Sequence, residues 1–153
     1  MAEHEAKSHQ KTASEAIHGQ KHSSCSLPPL KPRLSRDSLV GALNDYTKAI
    51  ERGDHTAYYN RANLQLNQLK DYDAAIEDFT STINCDTCSD KHHCYYNRAY
   101  TKSLTGDLEG ALRDCDLALG IDSEYFRPIR LKAKTCYRLG DLYHARESYL
   151  RLV

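Results

Sequence analysis

From residue 37 onward, apolar side chains recur with the period of an α-helix. Leu39, Ala42, Leu43, Tyr46, Ala49 and Ile50 stand at offsets of 3, 4, 7, 10 and 11 from the first, which puts them on one stripe. The same spacing starts again at Tyr72 with Ala75, Ile76, Phe79, Thr82 and Ile83, and at Leu108 with Ala111, Leu112, Cys115, Ala118 and Leu119. It returns at Leu142 with Ala145, Tyr149, Leu152 and Val153. The residues before these starts are Ser38, Asp71, Asp107 and Asp141, whose side chains can accept hydrogen bonds from the open amides of a first helical turn. Gly106 and Gly140 stand directly before two of them, where a left-handed residue closes the preceding helix. A second kind of helical segment lies upstream of three of these stripes, at 56–70, 93–105 and 126–139.

The two kinds of segment alternate, and they repeat. The string YYNRA occurs at 58–62 and again at 95–99, and Ala75, Ala111 and Ala145 are separated by 36 and 34 residues. Ala42 lies 33 residues before Ala75. Each unit is a helix–turn–helix hairpin that cannot cover its own apolar faces, so neighbours must stack. The pattern resembles the tetratricopeptide repeat. Small residues occupy the crossing positions, namely Ala62, Ala99 and Ala133 in the first helices and Ala75, Ala111 and Ala145 in the second. Phe79, Cys115 and Tyr149 fill a slot that usually holds an aromatic ring. Two departures stand out: there is no tryptophan, and Thr87 and Ser123 replace the proline that often closes a unit. The resemblance implies an all-α solenoid of antiparallel helix pairs over 37–153, with about three units and an N-terminal half-repeat at 38–52.

Composition limits the function classes. The chain balances 21 Lys and Arg against 21 Asp and Glu, so no overall field favours nucleic acid or a membrane surface. Residues 1–36 read as a disordered polar tail with six Lys or Arg and three Glu. Within it, LPPLKPRLS favours extended polyproline geometry, Pro29 and Pro32 form a P-x-x-P spacing best read as plain linker, and His4, His9, His18 and His22 follow no ligand spacing. No apolar run reaches the roughly 20 residues of a membrane span, and the first residues are too polar for a secretory signal. Six cysteines without such a signal suggest a reducing, cytoplasmic setting. There is no phosphate-binding glycine loop, nucleophile elbow or H-E-x-x-H helix, and the chain reads as a non-enzyme. Its Asp and Glu residues are assigned to solvent-facing helix positions.

If the resemblance holds, the first helices line a groove for a partner. By slot, its residues are Tyr59, Asn60 and Asn63, then Tyr96, Asn97 and Tyr100, then Arg127, Arg130, Lys134 and Arg138. Asparagine amides suit a peptide backbone, tyrosines give rigid contact area, and arginines favour carboxylates. The expected partner is a protein or peptide with an acidic segment against the third unit. Relatives that clamp an acidic chaperone tail use two carboxylate-binding sets. Asn63, Asn97 and Arg127 match that pattern, whereas Tyr59 and Leu131 stand where it needs cations. Two other surfaces are candidates. Cys85, Cys88, His92 (or His93) and Cys94 could complete a four-ligand zinc site, making the 85–94 loop a zinc- or redox-responsive module, although only one Cys-x2-Cys is present, a Cys85–Cys88 disulfide is a weaker reading still, and cysteines also pack as small apolar groups. Leu142, Tyr149, Leu150 and Val153 form an apolar face suited to docking or self-association.

Overall fold

The computed structural model describes residues 35–86 and 88–153; the tail reading over 1–34, its P-x-x-P spacing and its four histidines fall outside the described residues, while Ser35 and Arg36, the last two residues of the expected tail, belong to the start of the first helix. Among the described residues seven α-helices follow one another: α1 (Arg36–Glu51), α2 (Thr56–Leu64), α3 (Tyr72–Asn84), α4 (Lys91–Thr105), α5 (Leu108–Ile121), α6 (Phe126–Arg138) and α7 (Leu142–Leu150). A π-helical turn, Gln65–Leu69, extends α2, and no strand occurs among the described residues. Each helix packs on the next, and α4 also touches α6. The architecture is an all-α solenoid of helix pairs, α2–α3, α4–α5 and α6–α7, preceded by the single helix α1.

The crossings are made by alanine. Ala62, Ala75, Ala99, Ala111 and Ala133 have no exposed surface, and Ala145 is almost as deeply placed. A methyl side chain lets two backbones approach, and longer side chains then fill the gaps on either side. Around the first crossing, Tyr59, Leu66, Phe79, Ile83 and Cys94 form one core cluster. Around the second, Ala99, Cys115 and Leu131 form another. The aromatic slot is filled differently along the array. Phe79 and Cys115 are fully buried, whereas Tyr149 is exposed.

The second helix of each unit starts at an aspartate. Asp71, Asp107 and Asp141 accept from the amides of Ala74 at 3.3 Å, Gly110 at 2.9 Å and His144 at 3.1 Å. At α1 the cap differs from the sequence expectation: Ser35 accepts from the Ser38 amide at 3.3 Å, so Ser38 lies inside the first turn. The helix can start earlier because Arg36 and Asp37 extend the polar face without disturbing the apolar stripe. Gly106 and Gly140 adopt positive φ of 96° and 80°, as their position before a cap requires.

The first unit departs from its copies by one residue. Ala62 precedes its cap, Asp71, by nine positions, whereas Ala99 and Ala133 precede Asp107 and Asp141 by eight. The extra residue is absorbed in the π-helical turn. Lys70 then takes the left-handed conformation, with φ 59°, that glycine takes in the other units.

Candidate peptide-binding groove

The duplicated string YYNRA resolves into separate tasks. Its arginine, Arg61 or Arg98, forms a bidentate pair with an aspartate of its own unit's second helix. Arg61 meets Asp78 at 2.7 and 2.8 Å, and Arg98 meets Asp114 at 2.8 and 2.7 Å. The remaining nitrogen donates to a threonine of the preceding unit, Thr47 for Arg61 and Thr80 for Arg98, at 3.0 Å in both cases. Each threonine hydroxyl donates in turn to its own helix carbonyl, at Leu43 or Ile76, which leaves its oxygen to accept from the arginine. The first tyrosine, Tyr58 or Tyr95, lies under the guanidinium at 5.7 or 5.5 Å. One side chain thus pins three helices.

These pairs correct the assignment of acidic residues to solvent. Asp78 is 5% exposed and Asp114 only 2%. A buried carboxylate is tolerable only when paired, and here both oxygens are taken by a planar fork. Asp114 also accepts from Lys102 at 2.9 Å. In the third unit Lys132 stands in the arginine slot and reaches back to Asp116 at 2.5 Å, while Ser148 occupies the position of the buried aspartate.

The second tyrosine and the asparagine belong to the side of the first helices. Tyr59 is 8% exposed, with its ring edge-on to Phe79 and its hydroxyl accepting from the Asn97 amide at 3.0 Å. Asn63 donates to the Tyr59 carbonyl at 2.8 Å. The amides of Asn63 and Asn97 thus both turn toward Tyr59, and Asn60 is half-buried beside them. Tyr96 is half-buried between Tyr100, at 6.5 Å, and Tyr125, at 5.6 Å. Tyr125 was not among the groove residues expected from sequence. It sits in the turn before α6, outside any helical stripe, yet its ring also meets His92, His93 and Phe126. Burial pushes its hydroxyl up to about 12, partly opposed by Arg127. Burial lowers His93, helped by His92, which favours the neutral ring.

On α6 the cations Arg127, Arg130 and Lys134 are all exposed. Their spacing of three and four residues keeps them on one face over roughly 10 Å. Among the described residues, no carboxylate forms a salt bridge with any of the three. Arg138, one turn further on, donates to the Ser103 carbonyl in the last turn of α4 at 2.7 Å. That bond satisfies an open helix-end carbonyl and ties two first helices together. Leu131, the position where a carboxylate clamp needs a cation, is buried.

A sequence model of the tetratricopeptide repeat matches residues 55–81 and 92–125. The chain carries tetratricopeptide repeats at these positions. Tetratricopeptide repeats are protein–protein interaction modules rather than catalytic folds, and they imply a protein partner. No helix among the described residues is long and apolar enough to cross a membrane.

The Cys/His segment runs from the α3–α4 loop into the first turn of α4, so His92 and Cys94 lie within the second matched repeat. The α3–α4 loop runs over six residues, 85–90, against four, 122–125, between α5 and α6. Cys85 is half-buried at the end of α3, and Cys94 is buried in the first turn of α4. Of the four expected ligands, Cys88 and Cys94 come together, their sulfurs 3.8 Å apart. His92 instead lies tilted against His93 and edge-on to Tyr125. Among the described residues, no three His, Cys, Asp or Glu side chains converge as a metal-ligand group. At the far end of the repeats, Leu142, Tyr149, Leu150 and Val153 are all exposed.

Proposed function

We propose that the protein binds an extended peptide along its first helices, with an acidic stretch of that peptide lying against α6. The observation that carries this reading is the row of Arg127, Arg130 and Lys134, exposed and without a salt-bridge partner among the described residues. Such a row favours carboxylates by Coulomb attraction and charge-assisted hydrogen bonds. Its roughly 10 Å length matches about three residues of extended chain. Tyr96 and Tyr100 add rigid contact area beside it, and Leu104 adds an exposed apolar edge. The two-carboxylate clamp is a poorer fit, since Tyr59 and Leu131 are buried core residues.

Fluorescence anisotropy with an Asp/Glu-rich peptide and its Asn/Gln counterpart tests the reading. The acidic peptide should bind more tightly, and its affinity should fall as salt rises. Replacing Arg130 and Lys134 together by Glu should weaken it by roughly tenfold or more, about 1.4 kcal/mol. Equal affinity for both peptides, or binding indifferent to the double substitution, would remove the acidic segment from the proposal.

A further inference from the structure

Two cysteines in the α3–α4 loop region stand apart from the others. Cys94 is 0% exposed and belongs to the core cluster of Tyr59, Phe79 and Ile83. Cys88 is half-buried and packs against the same cluster from the loop. Their sulfurs are 3.8 Å apart, a thiol contact rather than the bond of about 2 Å in a disulfide. Cys115 and Cys136 are buried in helices, and burial raises both thiols, Cys115 to about 12. The loop that carries Cys88 is the longer of the two between units.

We propose that Cys88 and Cys94 are a peroxide-oxidisable pair that closes into a disulfide across the junction of the first two repeats. The half-buried sulfur reacts first. The Cys88 thiolate attacks one peroxide oxygen, the O–O bond breaks, and Cys88 becomes a sulfenic acid while the other oxygen leaves as water after taking a proton. The Cys94 thiolate then attacks the Cys88 sulfur, the S–O bond breaks, and hydroxide departs as a second water. Two thiols and one hydrogen peroxide give one disulfide and two waters. Closing the gap requires the sulfurs to approach by roughly 2 Å. Cys88 can supply that movement because it lies outside any helix, whereas Cys94 is held in α4. The bond fastens the loop leaving α3 to the start of α4, beside the Tyr59–Asn97 contact.

The test treats the folded full chain with hydrogen peroxide, blocks remaining thiols, and maps peptides without reduction. The expected product has lost two hydrogens, contains a Cys88–Cys94 cross-linked peptide, and melts at a higher temperature until a dithiol reductant reverses it. Cys88→Ser should abolish the cross-link and leave Cys94 a thiol. Cys94→Ala, checked for fold by circular dichroism, should leave Cys88 as a sulfenic acid that a dimedone probe captures. Cys85→Ser should leave the cross-link intact. A dominant Cys85–Cys88 or Cys25-containing bridge would overturn the proposal. So would peroxide treatment that leaves both thiols unchanged, or oxidation of Cys88 to sulfinic acid without a cross-link in the unsubstituted chain. The proposal is independent of what the first helices bind.

Discussion

Arg61 and Arg98 make the same contacts, but removing them has different consequences. Arg61→Met leaves Asp78 buried with no other cation bonded to it among the salt bridges of the described residues. Arg98→Met leaves Asp114 still paired with Lys102. An uncompensated buried charge costs about 3–5 kcal/mol. Arg61→Met should therefore destabilise by about 3 kcal/mol in urea melts, and Arg98→Met by clearly less. Equal losses would mean that Lys102 does not substitute for the guanidinium. These pairs were not read from the sequence because they join residues 17 and 16 positions apart on different helices. Helical periodicity compares positions within one helix, and on that scale Asp78 and Asp114 fall among polar residues. The signal that carried them was the repeat, since arginine, aspartate and threonine all return together in the next unit. Tyr125 left no such signal, because a turn residue has no period.

Helix identity and order were legible because alanine crossings, aspartate caps and glycine stops repeat in register. The π-helical turn was legible only as a count, nine positions from Ala62 to Asp71 against eight in the copies. A helix can take up one extra residue by widening a turn without shifting the crossing or the next cap. The turn ends at Lys70, whose left-handed backbone is costly for a side chain bearing Cβ. That conformation costs about 1–2 kcal/mol, and glycine gives back about 0.4–1 kcal/mol through a more flexible unfolded chain. Lys70→Gly should therefore stabilise the protein by roughly 0.5–1 kcal/mol, read as a higher thermal midpoint. An unchanged or lower midpoint would show that Lys70 makes contacts that offset its backbone.

Across the whole molecule, stability is distributed unevenly. The first two pins join three helices each through partly buried charge pairs. The third, Lys132 with Asp116, is largely exposed on the acidic side and does not reach α7. Surface pairs of this kind contribute at most about 1 kcal/mol. Of the residues in α7, only Ala145 and Ser148 are buried. Amide hydrogen exchange should therefore be fastest, among the helices of the paired units, in α7 and slowest in α3 and α4. Uniform protection through all three units would contradict this gradient. The groove was legible in part: the repeat register located α6 and its cations, but it could not show that Tyr59 is buried or that Asn63 and Asn97 already bond to it.

The receiving position for each pin lies on the preceding second helix: Thr47, Thr80, then Asp116. Two residues beyond the Asp78, Asp114 and Ser148 series, the same place on α7 is held by Leu150, which is 63% exposed. A helix laid on α7 as α6 lies on α5 would therefore find methyl groups where its predecessors found oxygen. An arginine or lysine there would be stranded, and leucine or methionine would fit. Any array lengthened by grafting at this edge needs a hydrophobic joint in place of an ionic one.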